Sequence, residues 1–549
     1  MRIAQGQRMG KPRDVRTREH ALYGTIVRKE MLPQEAPHRD PWTPLLRWGP
    51  WVLGASLTAS LAAFVIGTWQ WPLVGDASLF HYVAFLIDHG FAPYRQIVEI
   101  NMPGCYLVHW LVIHLLGGGA LSWRIFDFLV MAVAGAAMMT ITAPYGAKFS
   151  GWFAGFAGAG LLTLIHGQDG VSFLGERDQV AAALLAVFFA FLFLAVRRNS
   201  AWMVWPAALA AGVAGTIKPW AGPAGFLLLI LFVMHWKSLR RPYLRPLLCG
   251  LAGLLLPVLL VCIYLLRIHA LGAFFSEMTG IGLYYNGMYR KSLGYLLTHS
   301  VAPIGPLVVL WIVLATFERR WNWEKRMLAA GALLSLLGYC SQGRGFPYYR
   351  YPLLVFLLVL MSIDFAAALR HPVLRYFAAL ASIYALLILA PRFAYKAIHY
   401  GWRNQEFISM LSGDLNALGG QRLSGKVQCL DTTAGCINTL YRDRLVQATG
   451  YIYDCYAYAP RGSEKMEVVD QYRQGFLAAL KRNPPEVFIV TDQYCQWSDM
   501  SYDKLERWPA IHSLLASQYS LYAERQPRDD VYWWSRAMKP AGYRVYVRR

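Results

Sequence analysis

A polytopic α-helical membrane protein carrying a small C-terminal α/β domain is the fold class these 549 residues predict. Three observations predict it. Apolar runs of about 17–25 residues, the length that crosses a hydrocarbon core, recur through the first 390 positions. Only 15% of the residues are charged and 56% are hydrophobic, with a mean hydropathy of +0.32; a soluble chain of this size carries about 25% charged residues. The basic residues that give the net charge of +21 gather in short segments between apolar runs. A β-barrel would instead show short alternating segments. No basic domain stands apart from the apolar runs, so the charge points to anionic lipid headgroups, not nucleic acid.

Residues 1–48 hold ten Lys or Arg and five acids, too long and too charged for an ordinary signal peptide. They read as a partly disordered cytoplasmic tail. Residues 49–391 form the membrane domain. The first crossing covers about 50–70. Ten more follow near 122–143, 151–166, 179–196, 201–217, 220–236, 247–266, 301–317, 327–341, 351–367 and 373–391, about eleven in all. With the N-terminus inside, the inside loops carry Lys148; Arg197 and Arg198; Lys237, Arg240, Arg241 and Arg245; Arg319, Arg320, Lys325 and Arg326; and Arg370 and Arg375. Short basic inside loops are what the orientation rule requires. An odd count puts residues 392–549 outside.

The first outside loop, Trp71 to Gly104, organises the rest. Ala77–Asp88 has an apolar face at helical spacing and reads as a helix lying on the membrane surface. Residues 105–116 are too short for a full crossing and read as a second interfacial helix. Between residues 45 and 400 there are eleven acids. Asp76, Asp88, Glu99, Asp169, Glu176, Asp178 and Glu277 fall in outside loops; Glu318 and Glu324 lie among inside basic residues; Asp127 and Asp364 fall within crossings. A transporter keeps ionisable groups near the midplane, whereas these acids gather on one face.

Residues 392–549 read as an α/β domain, with strands at 427–432, 486–492 and 543–548 and helices at Asp470–Lys481 and Tyr502–Ser517. Cys429, Cys436, Cys455 and Cys495 lie in it, and four cysteines outside the cytoplasm permit two disulfides in any of three pairings.

The candidate residues lie in five stretches. In GDASLFHYVAFLIDHG, Asp76 is a carboxylate at a bilayer surface, suited to act as a general base or to cap the following helix. In EINMPG, Glu99 could position a hydroxyl, pair with Arg95 or hold a cation. These residues establish no cofactor with certainty. Glu99 with His81, His109 or His114 offers ligands for a divalent metal ion, at a spacing that matches no established motif. LGERDQ brings Glu176, Arg177 and Asp178 together before a crossing, as an acid opposite Asp76 or as a solvated turn. Lys218 in AGTIKPWAGPAG could meet a phosphate as a point charge or snorkel to the interface. In SQGRGFPYYRYP, Arg344 and Arg350 flank Tyr348 and Tyr349, and Arg suits phosphate through its rigid fork of donors. Loop 267–300 adds His269, Tyr284 and Tyr285. With Tyr82, Arg95 and Arg177 these are the expected cavity lining.

Taken together the stretches resemble the GT-C class of polytopic glycosyltransferases, in particular the bacterial relatives of protein O-mannosyltransferases and of the lipid A aminoarabinose transferase. Asp76, then Gly90 to Arg95, then Glu99, Pro103 and Gly104 match the family's opening loop. GERDQ matches its second acidic site. TIKPWAGP resembles its Lys-x-Pro segment, and QGRGFPYYRYPLL its late Gly-Arg-Gly-Phe loop. The acidic pair usual in the opening loop is Asp76-Ala77 here, and the frequent Pro-Pro is Met102-Pro103. The resemblance implies transfer of a sugar, hexosyl or pentosyl, from a polyprenyl-phosphate donor to a lipid, glycan or protein acceptor outside a bacterial inner membrane. It assigns Asp76 as base, with Glu99, Glu176 and Asp178 as further catalytic acids. Lys218, Arg344, Arg350, Tyr348 and Tyr349 would receive the donor phosphate. A transporter or flippase of a lipid-linked anion, or a non-catalytic assembly protein, is the alternative.

Overall fold

The structure is a computed structural model that describes residues 43–145, 150–317, 321–399, 404–458, 466–493, 501–529, 531–533, 536–538 and 540–549. Most of the expected tail, together with Lys148, Glu318, Arg319, Arg320 and Cys495, lies outside the described residues. The membrane part begins with α1 (Thr43–Thr68), α2 (Gly75–Asp88), α3 (Pro103–Leu116), α4 (Ala120–Thr142), α5 (Ser150–Asp169) and α6 (Arg177–Arg197). It continues with α7 (Val204–Ile217), α8 (Ala221–Ser238), α9 (Leu244–Arg267), α10 (Leu271–Glu277), α11 (Leu283–Gly287) and α12 (Leu293–Ser300). It ends with α13 (Gly305–Phe317), α14 (Trp323–Gln342), α15 (Tyr351–Ala368), α16 (Leu374–Ile383) and α17 (Ala390–His399).

All eleven predicted crossings are helical, but among the described residues only seven helical segments are both long and apolar enough to span by themselves. They contain α1, α4, α6, α8, α9, α15, and α16 with α17. The pair α12–α13, bent by 49°, would make an eighth. α7 is shorter, and α5 and α14 are more polar. The physical reason is position. α5 buries most of its length against α4, α15 and α17, and a helix covered by other helices need not be apolar all round. Apolar side chains face outward elsewhere, as with Ile66, Met234, Leu259, Leu260, Val309 and Leu380. The chain is an integral membrane protein. Away from the site described below, Arg197 pairs with Glu324 at 2.6 Å, and Lys325 with Asp364 at 2.6 Å.

α2 is more deeply buried than its one apolar face implies. Residues Ala77 to Leu86 are buried without a break, so α2 has no solvent face along most of its length. It is covered by α3 of the membrane part and by the C-terminal domain. That domain contains α18 (Gln405–Leu418), α19 (Cys436–Arg442), α20 (Met466–Arg482) and α21 (Pro509–Gln518). Its strands are β1 (Val427–Leu430), β2 (Val487–Thr491), β3 (Tyr519–Arg525), β4 (Val531–Trp533), β5 (Arg536–Met538) and β6 (Tyr543–Arg548). The sheet order is β1-β2-β6-β3, with β1 and β2 parallel and the other pairs antiparallel; β4 and β5 form a separate ribbon. α19 packs on α2. Asn438 Nδ2 donates to the Leu73 carbonyl at 2.6 Å, Tyr82 Oη to that of Leu445 at 3.0 Å, and the Val98 amide to that of Gly450 at 3.0 Å. Cys429 and Cys436 form a disulfide.

Candidate functional site

Loops from one end of the helices and the C-terminal domain line a cavity of about 550 Å³. Asp76, Glu99, Glu176, Arg177, Lys218, Tyr285, Arg344, Tyr348 and Tyr349 are on its wall. Segments more than 270 residues apart are thus brought to one place.

Gly75 and Gly175 place the acids. Gly75 opens α2 at φ +59, a left-handed conformation that disfavours a side chain, and Asp76 follows in the first turn. Gly175 turns at φ +63 beneath Trp123, where a Cβ would stand 2.4 Å from the indole ring. The turn delivers Glu176 and Arg177 to the start of α6. Arg177 Nη2 meets Asp76 Oδ2 at 2.8 Å, its Nε lies 3.5 Å from Glu176 Oε2, and its guanidinium covers the Phe80 ring. The three acids differ in access. The Asp76 side chain is 30% exposed and that of Glu176 4%, while Glu99 is 1% exposed. Glu99 Oε1 accepts from the Ile100 amide, from Asn101 Nδ2 at 2.6 Å and from Tyr456 Oη at 3.2 Å. Burial raises its pKa against these donors. Burial and the neighbouring Asp76 charge push Glu176 up to about 8, so its carboxyl is mostly protonated at neutral pH.

The cations divide in the same way. Lys218 Nζ lies 2.7 Å from Asp178 Oδ2, donates to Gln342 Oε1 at 3.1 Å, and sits 4.7 Å from the centre of the Tyr349 ring. Arg344 stacks at 3.8 Å on Tyr285, and its Nε and Nη2 donors are buried without a hydrogen-bond partner among the described residues. Unpaired buried donors are costly, which marks Arg344 as the cation with capacity left for an anion.

Several expected site residues lie elsewhere. Arg350 points away from the cavity and is held by Asp169 at 2.7 and 3.0 Å, a carboxylate that also accepts from Tyr351; a guanidinium buried at this depth needs its counter-ion. Asp178 is buried behind Lys218 and acts on that ammonium. Tyr82 bonds to the C-terminal domain, accepting the Gln447 amide at 2.8 Å. Tyr284 packs with Met288, Cys455 and Val469. Arg95 and His269 are exposed away from the wall.

The cavity also holds residues that loop membership does not reveal. Thr433, Tyr453 and Tyr456 reach it from the C-terminal domain; the tyrosine-rich stretch Tyr451 to Tyr458 was the available signal. Behind the wall, Asp127 of α4 accepts the Gly175 amide at 3.1 Å and Gln179 Nε2 at 2.7 Å. It thereby grips both flanks of Glu176-Arg177-Asp178. It also pairs with Arg124 and with His166 at 2.9 Å. These groups sit at the helix ends next to the cavity.

The ligand set suggested for a metal does not assemble. His81 and His109 face each other at 2.9 Å, and His114 lies 3.6 Å from Asp88. Among the described residues no three His, Cys, Asp or Glu side chains come together as metal ligands.

No protein-family model matches the sequence, and no curated protein matches it. Solved structures do. ArnT from Cupriavidus metallidurans bound to undecaprenyl phosphate matches with a TM-score of 0.54 at 14% identity, over 91% of this chain and 98% of ArnT. The apo state of the same protein matches equally. The Archaeoglobus fulgidus oligosaccharyltransferase in complex with Zn and sulfate matches with a TM-score of 0.51 at 11% identity, over 80% of this chain and 67% of that one. The architecture of the chain is therefore the GT-C fold that ArnT and the oligosaccharyltransferase share.

Proposed function

We propose that this cavity is the active site of a membrane glycosyltransferase that moves a sugar from a polyprenyl-phosphate-linked donor to an acceptor hydroxyl. The observation that carries the reading is the pairing, on one wall, of an accessible carboxylate with a cation that has donors to spare. Asp76 is the accessible carboxylate, and Arg344 is the cation. The ligand named with ArnT, undecaprenyl phosphate, is of the class such a wall would accept.

In this reading the donor phosphate lies against Arg344, with Lys218 and Tyr349 beside it. The acceptor oxygen attacks the anomeric carbon from the opposite side, and its proton passes to Asp76. The bond from the anomeric carbon to the phosphate oxygen breaks, and its electron pair leaves with polyprenyl phosphate. The configuration inverts. The leaving group needs no strong acid, and fixed cations stabilise the charge that develops on it. Arg177 orients Asp76. Glu99, with one oxygen held and Oε2 without a hydrogen-bond partner among the described residues, positions a hydroxyl. The acceptor is a lipid, glycan or protein. The short basic loops favour a cytoplasmic N-terminus, with the cavity and the C-terminal domain on the outer face of a bacterial inner membrane.

The test is sugar transfer by the purified protein in liposomes, with a panel of polyprenyl-phosphate hexoses and pentoses. Release of polyprenyl phosphate that depends on acceptor is expected; no release with any donor would overturn the reading. A pH series adds a second check. As pH rises through about 8, Glu176 loses its proton and puts a further negative charge beside Asp76. The affinity for undecaprenyl phosphate should then fall by about tenfold, and Glu176→Gln should abolish that fall.

A further inference from the structure

The loop between β1 and α19 is built to hold one side chain in the cavity. Asp431 ends the strand, and its carboxylate accepts the amides of Ala434 at 3.0 Å, Gly435 at 3.2 Å and Cys436 at 2.9 Å, and Thr491 Oγ1 at 3.0 Å. The Cys429–Cys436 disulfide closes the same loop. Thr432 donates to Asp454, which is itself fixed by buried Lys504 at 2.8 Å. The Thr433 amide donates to Gln493 Oε1 at 2.8 Å. These bonds tie the loop to its own domain. Thr433 lines the cavity, and its Oγ1, like Gln493 Nε2, is buried with no hydrogen-bond partner among the described residues.

A threonine hydroxyl normally finds a local backbone acceptor, and leaving one buried and unpaired is unfavourable. Valine would fill the same space without that cost. Tyr285, Tyr453 and Tyr456 line the same cavity as Thr433. Tyr453 Oη lies 3.4 Å from Tyr285 Oη, and Tyr285 carries the Arg344 guanidinium. A ligand whose phosphate lay at Arg344 would share one cavity with Tyr285, Tyr453 and Thr433. Aromatic faces beside single hydroxyl groups suit a polyhydroxylated ring.

We propose that the C-terminal domain reads the saccharide: Thr433 Oγ1 hydrogen-bonds a hydroxyl of a sugar ring in the cavity, of the donor or of a glycan acceptor, and so sets sugar selectivity. The proposal rests on the glycosyltransferase reading of the same cavity.

The experiment compares wild type, Thr433→Val and Thr433→Ser. Transfer kinetics are measured with the donor panel, and binding is measured separately with polyprenyl-phosphate sugars and with bare undecaprenyl phosphate. For the preferred sugar, Thr433→Val should lose about tenfold in kcat/KM. It should bind bare undecaprenyl phosphate as wild type does, and Thr433→Ser should restore most of the loss. A rise in donor KM places the donor sugar at Thr433; a rise in acceptor KM alone places a glycan acceptor there. Unchanged kinetics and sugar preference in Thr433→Val would overturn the proposal. The binding arm separates this from failure of the general reading. If wild type transfers nothing yet binds a lipid-linked sugar more tightly than the bare lipid, and Thr433→Val loses that preference, saccharide recognition stands while catalysis falls.

Discussion

Asp76→Asn should lower sugar transfer by about 10²–10⁴-fold, the range expected for loss of a general base, with donor binding nearly unchanged. The substitution keeps the size and planarity of the group and one oxygen that can accept from Arg177, 2.8 Å away in the native protein. Only the capacity to take a proton is removed. Glu99 and Glu176 are poor substitutes. Both are nearly inaccessible, and burial raises the pKa of each. Steady-state kinetics with a saturating lipid-linked donor, alongside direct binding of undecaprenyl phosphate, make the comparison. Transfer within a few-fold of wild type would remove Asp76 from the base role.

Asp127→Asn should cost about 3–5 kcal/mol of stability, the usual penalty for removing one partner of a buried ion pair, and should also abolish transfer. Asp127 and Arg124 are fully buried. Without the carboxylate, Arg124 remains a charge enclosed by Phe64, Trp71 and Phe128. The Gly175 amide loses its charged acceptor too, and with it the anchor of the turn that delivers Glu176 and Arg177. The double variant Arg124→Leu/Asp127→Leu separates the two effects. Replacing a buried pair by apolar residues is often neutral for stability, so its thermal midpoint in detergent should recover. Its transfer activity should stay lost, because Gly175 and Gln179 still lack their acceptor. Recovery of activity with stability would show that Asp127 has no part in positioning the turn.

Hydropathy made the membrane class legible because spanning a bilayer imposes length and apolarity on each helix. It did not distinguish a helix facing lipid from one surrounded by other helices. α5, α7 and α14 are the expected crossings that fall short in length or apolarity by themselves. Loop membership carried the site in the same partial way. It put Asp76, Glu99, Glu176, Lys218 and Arg344 on one side of the membrane, and all five line one cavity. It could not say where a side chain points. Arg350 shares a loop with Arg344 yet turns back to Asp169, and Asp178 adjoins Arg177 yet faces Lys218. Direction is set by which counter-ion lies within reach, and that depends on helices distant in the chain. Thr433 and Tyr453 were the least legible, since no local pattern marks a threonine or a tyrosine that meets the cavity only after the C-terminal domain docks on α2. In that domain β1, β2 and β6 were readable as apolar strands. β3 was not, because its alternation is broken by a bulge between Leu521 and Ala523.

Photo-crosslinking with a polyprenyl phosphate that bears a reactive group beside the phosphate tests the central claim most directly, because it asks which parts of the chain surround the ligand. Peptide mapping should find adducts on the segments holding Asp76, Arg177, Lys218, and Arg344 with Tyr349, and Arg344→Ala should reduce all of them together. Adducts confined to the lipid-facing surfaces of α8 and α9, or unaffected by Arg344→Ala, would contradict a single site assembled from these remote segments.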